Sequence, residues 1–407
     1  MRSGSLLTFL FLLFTSAALG LPTRSGVSIA LMRRSNVTSQ DGSVNASLIR
    51  VHVNEVQAKI TRGMLAYEFN TGTKHHLDTG LSRRAALEGF PTTNGTPGEG
   101  IVLVGSPSAM FTVDFDTGVS DLILPGVNCN TPACTGHPRR YNPVFSLASE
   151  PKNAAFITKF GGTSVVSGTI FTDAVSLGGL VVKNQALGAA DSYPESLAIE
   201  HSPQDGIMGL AFPSISRLRE GAKPVATPPF LSNLIAQGSL LSPVFGVKLA
   251  FPGAEIFLGG VNTALSPGPV TPPLPAFWEV VMDSVSVAGT PIRTAIPSII
   301  DTGSDYIVGD SKTVNAIFRA IPGSKAAPPQ LVGPGFFTTP CGQDPKVSLT
   351  FGKRKFLLPA SALNLGPIEP GSQDCLSGIV VDTTTPGAAF VVGEVFLKTV
   401  YTSTCPS

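Results

Sequence analysis

Short apolar runs rich in Val, Ile, Phe and Thr recur along most of the chain, separated by Gly, Pro, Ser and Asn. That punctuation predicts strands joined by tight turns, hence a mainly β protein. No long helical periodicity stands out, and LSNLIAQGSL (231–240) and KTVNAIFRAI (312–321) are the expected short helices. The N-terminus MRSGSLLTFLFLLFTSAALG carries one Arg, an apolar stretch and a small-x-small ending at Ala18-Leu19-Gly20. It reads as a signal peptide over 1–20, too short to span a membrane, and no later run reaches spanning length.

With 407 residues the chain has room for two domains, and 43% hydrophobic against 14% charged residues excludes a disordered polar polymer. The net charge of +1 hides an asymmetry. Residues 21–84 hold nine Lys/Arg and four Asp/Glu (+5), whereas 85–407 hold eighteen and twenty-three (−5). A basic leader on an acidic body suggests a prosegment held partly by charge, with Arg83-Arg84 as a processing site and the mature chain starting near Ala85. No basic stripe with interleaved aromatics points to nucleic acid.

The five cysteines fit an oxidising compartment, with Cys129 and Cys134 able to close one loop, Cys341 and Cys375 another, and Cys405 left over. Paired CxxC units are lacking and the His residues are scattered or in the leader, so no metal site is expected. His75-His76 in the leader reads as a solvated loop. Asn36, Asn45 and Asn94 head glycosylation triplets.

Asp-Thr-Gly occurs twice after an apolar run, at 116–118 and 301–303, 185 positions apart. LVGSP (103–107) precedes the first and VAGTP (287–291) the second. Ile207-Met208-Gly209 and Val391-Val392-Gly393 follow, with the Gly 93 and 92 positions after each Asp. Ordered features at nearly equal spacing argue for a duplicated β-lobe. Two such turns meeting about a two-fold axis bring two carboxylates into one site. Like charges at that range hold one proton between them, so one Asp serves as base to water and the other as acid to a peptide carbonyl.

GSPSAMFTVDFDTG, DGIMGLAF, EIFLGGVN, FWEVVMDSVSVAG, IIDTGS and VVGEVFLKTVY resemble the pepsin family of aspartic proteases from about Gly100 to Tyr401. The resemblance implies a bilobal, all-β-dominated fold with few short helices, two duplicated lobes (85–270 and 271–407) and a central cleft for an extended peptide. It assigns Asp116 and Asp301 as the dyad and Thr117, Gly118, Thr302, Gly303 and Ser304 as its support. It also matches Cys129–Cys134 and Cys341–Cys375 to the family's disulfides. Statine-type inhibitors are implied ligands, and no cofactor is. A monomer is expected because one chain supplies both triplets. The expected product is a secreted zymogen, with a vacuole or other acidic lumen as the alternative location.

The pattern also departs from the family. Val119-Ser120 and Ile123 stand where the family has Ser-Ser and Trp, and the flap is best matched by Phe160-Gly161-Gly162-Thr163 instead of Tyr-Gly-Thr-Gly. Apolar side chains thus replace polar partners of the first Asp. They imply a rewired but packed flap base, a raised lower pKa of the dyad, an optimum toward weak acid and reduced turnover. A protease-like peptide-binding protein of weak or no activity is the rival reading. After Tyr401 the chain stops at TSTCPS where the family runs on through two further strands, so an unpaired sheet edge is expected. Cys405 is then an exposed thiol, an intermolecular bridge or the by-product of an altered transcript.

Overall fold

The computed structural model describes residues 26–33, 41–78, 97–159, 165–199, 202–218, 228–250, 252–265, 276–382 and 389–404. The signal segment, Asn36, Arg83-Arg84, Asn94, Phe160, Gly161, Gly162, Thr163 and Cys405 lie outside the described residues.

Along Val165–Leu177 buried and half-buried side chains alternate almost residue by residue, as in a strand with one face on a core. It folds back on Leu180–Ser192 through Gly178 and Gly179, whose φ values of 57° and 85° suit the turn that matches strand twist. These two are part of an eight-stranded sheet. Its spatial order is Met32–Arg33, Pro97–Val104, Ala109–Asp116, Gly206–Gly209, Leu122–Pro125, Leu180–Ser192, Val165–Leu177, Glu150–Lys159. A second, seven-stranded sheet runs Arg354–Leu357, Val347–Phe351, Glu279–Val287, Thr290–Ile300, Phe390–Val392, Ile307–Asp310, Ile379–Asp382.

The centres of the two sheets repeat one another. Ala109–Asp116 runs parallel to Gly206–Gly209, which pairs antiparallel with Leu122–Pro125 through Leu122 and Met208. Thr290–Ile300 runs parallel to Phe390–Val392, which pairs antiparallel with Ile307–Asp310 through Ile307 and Val392. Leu122 and Ile307 are 185 positions apart, the spacing of the two triplets. Behind each triplet the chain crosses itself closely. A Cβ on Gly209 would lie 2.3 Å from the Ser120 carbonyl carbon, and one on Gly393 2.2 Å from the Ser304 carbonyl oxygen. Only hydrogen fits at either crossing, which explains the glycine after each apolar pair.

A four-stranded sheet joins the halves in the order Val27–Ala30, Glu255–Leu258, Phe245–Lys248, Tyr401–Thr404. Its first strand comes from the leader, and Tyr401–Thr404 forms an edge among the described residues. Trp278 is buried here, with Nε1 donating to the Leu210 carbonyl at 2.9 Å and the ring packed on Phe212 and Phe245. The disulfides Cys129–Cys134 and Cys341–Cys375 both form.

The expected short helices are present as Phe230–Ala236 and Ser311–Arg319, the second capped by the Asp310 carboxylate accepting from Thr313 N at 3.0 Å. The long helix Ala46–Thr71, 26 residues within the leader, corrects the expectation that no long helix exists. Ile49, Val53, Val56, Ile60 and Met64 bury one stripe of it in a cluster with Phe277, Tyr306 and Phe336. Gln57, Lys59 and Arg62 are buried as well. A helix gripped on several faces, partly through polar side chains, lacks the one-sided periodicity that announces an amphipathic helix.

The following turn is corrected too: His75 is only 3% exposed, set edge-on to Tyr67 and Phe277 rather than solvated.

Candidate active site

Each strand that runs through its sheet centre ends at a triplet. Ala109–Asp116 delivers Asp116 and Thr290–Ile300 delivers Asp301, both buried at 5% and 0% exposure. The threonines between them interlock with two-fold symmetry. Thr117 N donates to Thr302 Oγ1 at 3.0 Å, and Thr302 N donates to Thr117 Oγ1 at 2.9 Å. Each hydroxyl in turn donates to a carbonyl across the axis, Thr117 to Ile300 at 2.9 Å and Thr302 to Phe115 at 2.7 Å. These four bonds, each worth about 1 kcal/mol net, fix one turn against the other.

The glycines let the carboxylates approach. Gly118 N donates to Asp116 Oδ1 at 2.7 Å and Gly303 N to Asp301 Oδ1 at 3.1 Å. A Cβ on Gly118 would sit 2.7 Å from Asp301 Oδ1, and one on Gly303 2.3 Å from Asp116 Cγ. Ser304 is buried nearby, but its hydroxyl donates to the Tyr306 carbonyl at 3.3 Å. Ser120 likewise donates to the Phe212 carbonyl at 2.6 Å. Ile123 packs with Phe156, Ile207 and the half-buried Val119, an apolar cluster at the base of the hairpin whose tip lies outside the described residues.

Sequence reasoning missed the group that holds the two carboxylates together here. Lys59 Nζ, from the leader helix, lies 3.1 and 3.0 Å from the Asp116 oxygens and 2.9 and 2.8 Å from those of Asp301. The surplus of basic residues in the leader was the only hint, and it does not single out one lysine. Further anchors flank it: Asn70 Nδ2 donates to the Ser214 and Ser216 carbonyls, each at 3.0 Å. Among the described residues a cavity of about 30 Å³ lies beside Lys59, Arg62, Gly118 and Asp121. Asp121 accepts from Ser216 Oγ at 2.5 Å and Arg217 N at 2.6 Å.

Burial, Lys59 and mutual repulsion set the electrostatics. Burial works to lower the Lys59 pKa, but Asp116 and Asp301 outweigh it and hold it above its ordinary value. For Asp116, burial opposes ionisation, yet Lys59 and the Gly118 N–H help keep its carboxyl below the usual range. Asp301 is pushed up to about 7 by burial, which Lys59 opposes and the charge on Asp116 reinforces. With Lys59 in place, the two environments thus separate one carboxylate held ionised from one that takes a proton more readily.

The family described as eukaryotic aspartyl protease matches residues 99–404. An aspartic protease of Phaffia rhodozyma is 36% identical over 329 residues, covering 79% of this chain and 77% of its own. Pepsin A of Suncus murinus is 31% identical over 313 residues, covering 74% and 76%. Pepsin A of Bos taurus is 28% identical over 359 residues, covering 84% and 90%. With two lobes meeting at paired Asp-Thr-Gly turns and this breadth of similarity, the chain belongs to the pepsin-like eukaryotic aspartyl proteases and is an aspartic-type endopeptidase.

Proposed function

We propose that the chain is made as a secreted zymogen whose dyad, Asp116 and Asp301, hydrolyses extended peptides in acid once the leader withdraws. The observation that carries this reading is the contact of Lys59 with both carboxylates, which fills the place a nucleophilic water would take. With Lys59 gone, the ionised carboxylate takes a proton from water as it attacks the peptide carbonyl, and the protonated one donates to the carbonyl oxygen. The roles reverse as the amine leaves. Thr117, Gly118, Thr302 and Gly303 hold the geometry, while Phe160, Gly161, Gly162 and Thr163 supply the flap.

Acid is the trigger by sign. A carboxyl held below its ordinary value of 3.8 by Lys59 contributes attachment above that value and loses it as pH falls further. The lysine's own raised value matters only in alkali. Signal removal at 1–20, processing at Arg83-Arg84, glycans on Asn36, Asn45 and Asn94 and a monomeric product complete the proposal. Among the described residues no helix is long and apolar enough to cross a membrane.

The replaced partners at Val119 and Ile123 keep the peptide-binding reading in play. Denatured globin incubated with the acidified chain, with and without a statine-type peptide, separates the two. Inhibitable cleavage is expected, and tight statine binding without cleavage would overturn hydrolysis.

A further inference from the structure

Besides Lys59, Asn70 and the paired strands, a further polar contact ties the leader to the body. His76 Nε2 lies 2.9 Å from Glu279 Oε1, joining residues 203 positions apart. Glu279 opens the strand Glu279–Val287 and is only 5% exposed. Among the described residues its Oε2 is buried without a hydrogen-bond partner. A buried carboxylate oxygen left unsatisfied is costly, and the cost falls when a cation or donor reaches it.

His75 adds a third ligating group: its Nδ1 accepts from the Leu77 N–H at 3.4 Å, which puts the proton of the neutral ring on Nε2 and makes Nδ1 the nitrogen with a lone pair to offer. The ligating atoms of His75, His76 and Glu279 all lie within 4.8 Å of one another.

We infer that His75, His76 and Glu279 form a site for a divalent transition metal of the Zn2+ class, stapling the leader to the second lobe. Two imidazoles and a carboxylate are a donor set that zinc favours, with water as the fourth ligand. Zinc bonds of about 2.0–2.2 Å put donor atoms roughly 3.3 Å apart, so a cluster whose atoms lie within 4.8 Å of one another would contract on binding an ion. Such an ion would bind the carboxylate whose Oε1 already faces His76. Spacing along the sequence cannot reveal this, because the ligands meet only when the leader docks, and so the inference departs from the sequence-based expectation of no metal.

The consequence, which rests on the zymogen reading, is that zinc slows release of the leader.

The test uses the full-length chain near neutral pH, where the leader is docked. Equilibrium dialysis against Zn2+, and the visible absorption of bound Co2+, are compared for wild type, H76A and E279Q, with circular dichroism to check folding. One Zn2+ per wild-type chain is expected, with affinity falling at least about 10–100-fold in each variant. Zn2+ should also raise the unfolding temperature of the wild type and not of E279Q, a readout that stands even if H76A folds poorly. No binding by the wild type, or equal binding by folded variants, would overturn the site. The leader's role is read separately, from its acid-triggered loss with and without Zn2+. Unchanged loss in a zinc-loaded chain overturns the retention effect alone, whereas a chain that never processes contradicts the zymogen reading and leaves the binding result to decide the site.

Discussion

Asp301 is the residue at which burial and charge conflict most directly. Its carboxyl is pushed up to about 7 by burial, against an ordinary value of 3.8. Between those values the folded chain holds more protons at this site than the unfolded one, so stability from it falls as pH rises and levels off above about 7. Asp116 has the opposite sign, since its lowered value makes its contribution present above 3.8 and lost below. From about pH 5 to about pH 8 the falling Asp301 slope is opposed by His75, whose imidazole burial pushes down to about 4, so that its contribution rises with pH toward the ordinary value of 6.5. We expect the difference in denaturant stability between wild type and D301N to change by a few kcal/mol across that window, because the substitution removes the falling component alone. An unchanged slope in D301N would contradict the electrostatic account. Residues at this scale were legible where chemistry repeats: Asp116, Thr117, Asp301 and Thr302 stood out because one triplet at two matched positions is uncommon. Lys59 was not legible, because nothing local distinguishes it from the other leader cations and its partners are 57 and 242 positions away.

Among elements, the strands were readable and the leader helix was not. Val165–Leu177 alternates because one face packs on a core, and the Gly pair after it marks the turn. Ser311–Arg319 shows a cap and an apolar face. Ala46–Thr71 conceals its period because the cleft accepts polar residues as readily as the core accepts Ile49 and Ile60. Its docking depends on the buried lysine. Removing one partner from a buried ion cluster costs about 3–5 kcal/mol. K59M is therefore expected to free the leader at neutral pH, making it roughly 100-fold or more faster to cut by added trypsin, at 1.4 kcal/mol per tenfold. Unchanged cleavage in K59M would show that the apolar stripe and Asn70 suffice to hold the helix.

For the whole molecule, duplication explains the architecture. Two sheets present equivalent turns, the threonines lock them across the axis, and a third sheet carries a strand from the leader beside strands from each half. The segment 26–78 meets the body at the cleft, at Val27–Ala30 and at His76, so on the proposed zymogen reading it is a structural part of the closed form rather than a tether. The duplicated pattern was readable because both copies kept the crossing glycines, Gly209 and Gly393. How the leader completes the fold was not, because that depends on pairings between distant segments.

The central claim is that Asp116 and Asp301 act as one proton-sharing pair on water. Its most direct measurement is statine-sensitive cleavage of denatured globin at acid pH by the chain with its leader removed by an added protease, comparing wild type, D116N and D301N. The account predicts cleavage by the wild type and a loss of at least about 100-fold in each variant. Inhibitor-sensitive cleavage persisting at the wild-type rate in either variant would contradict it.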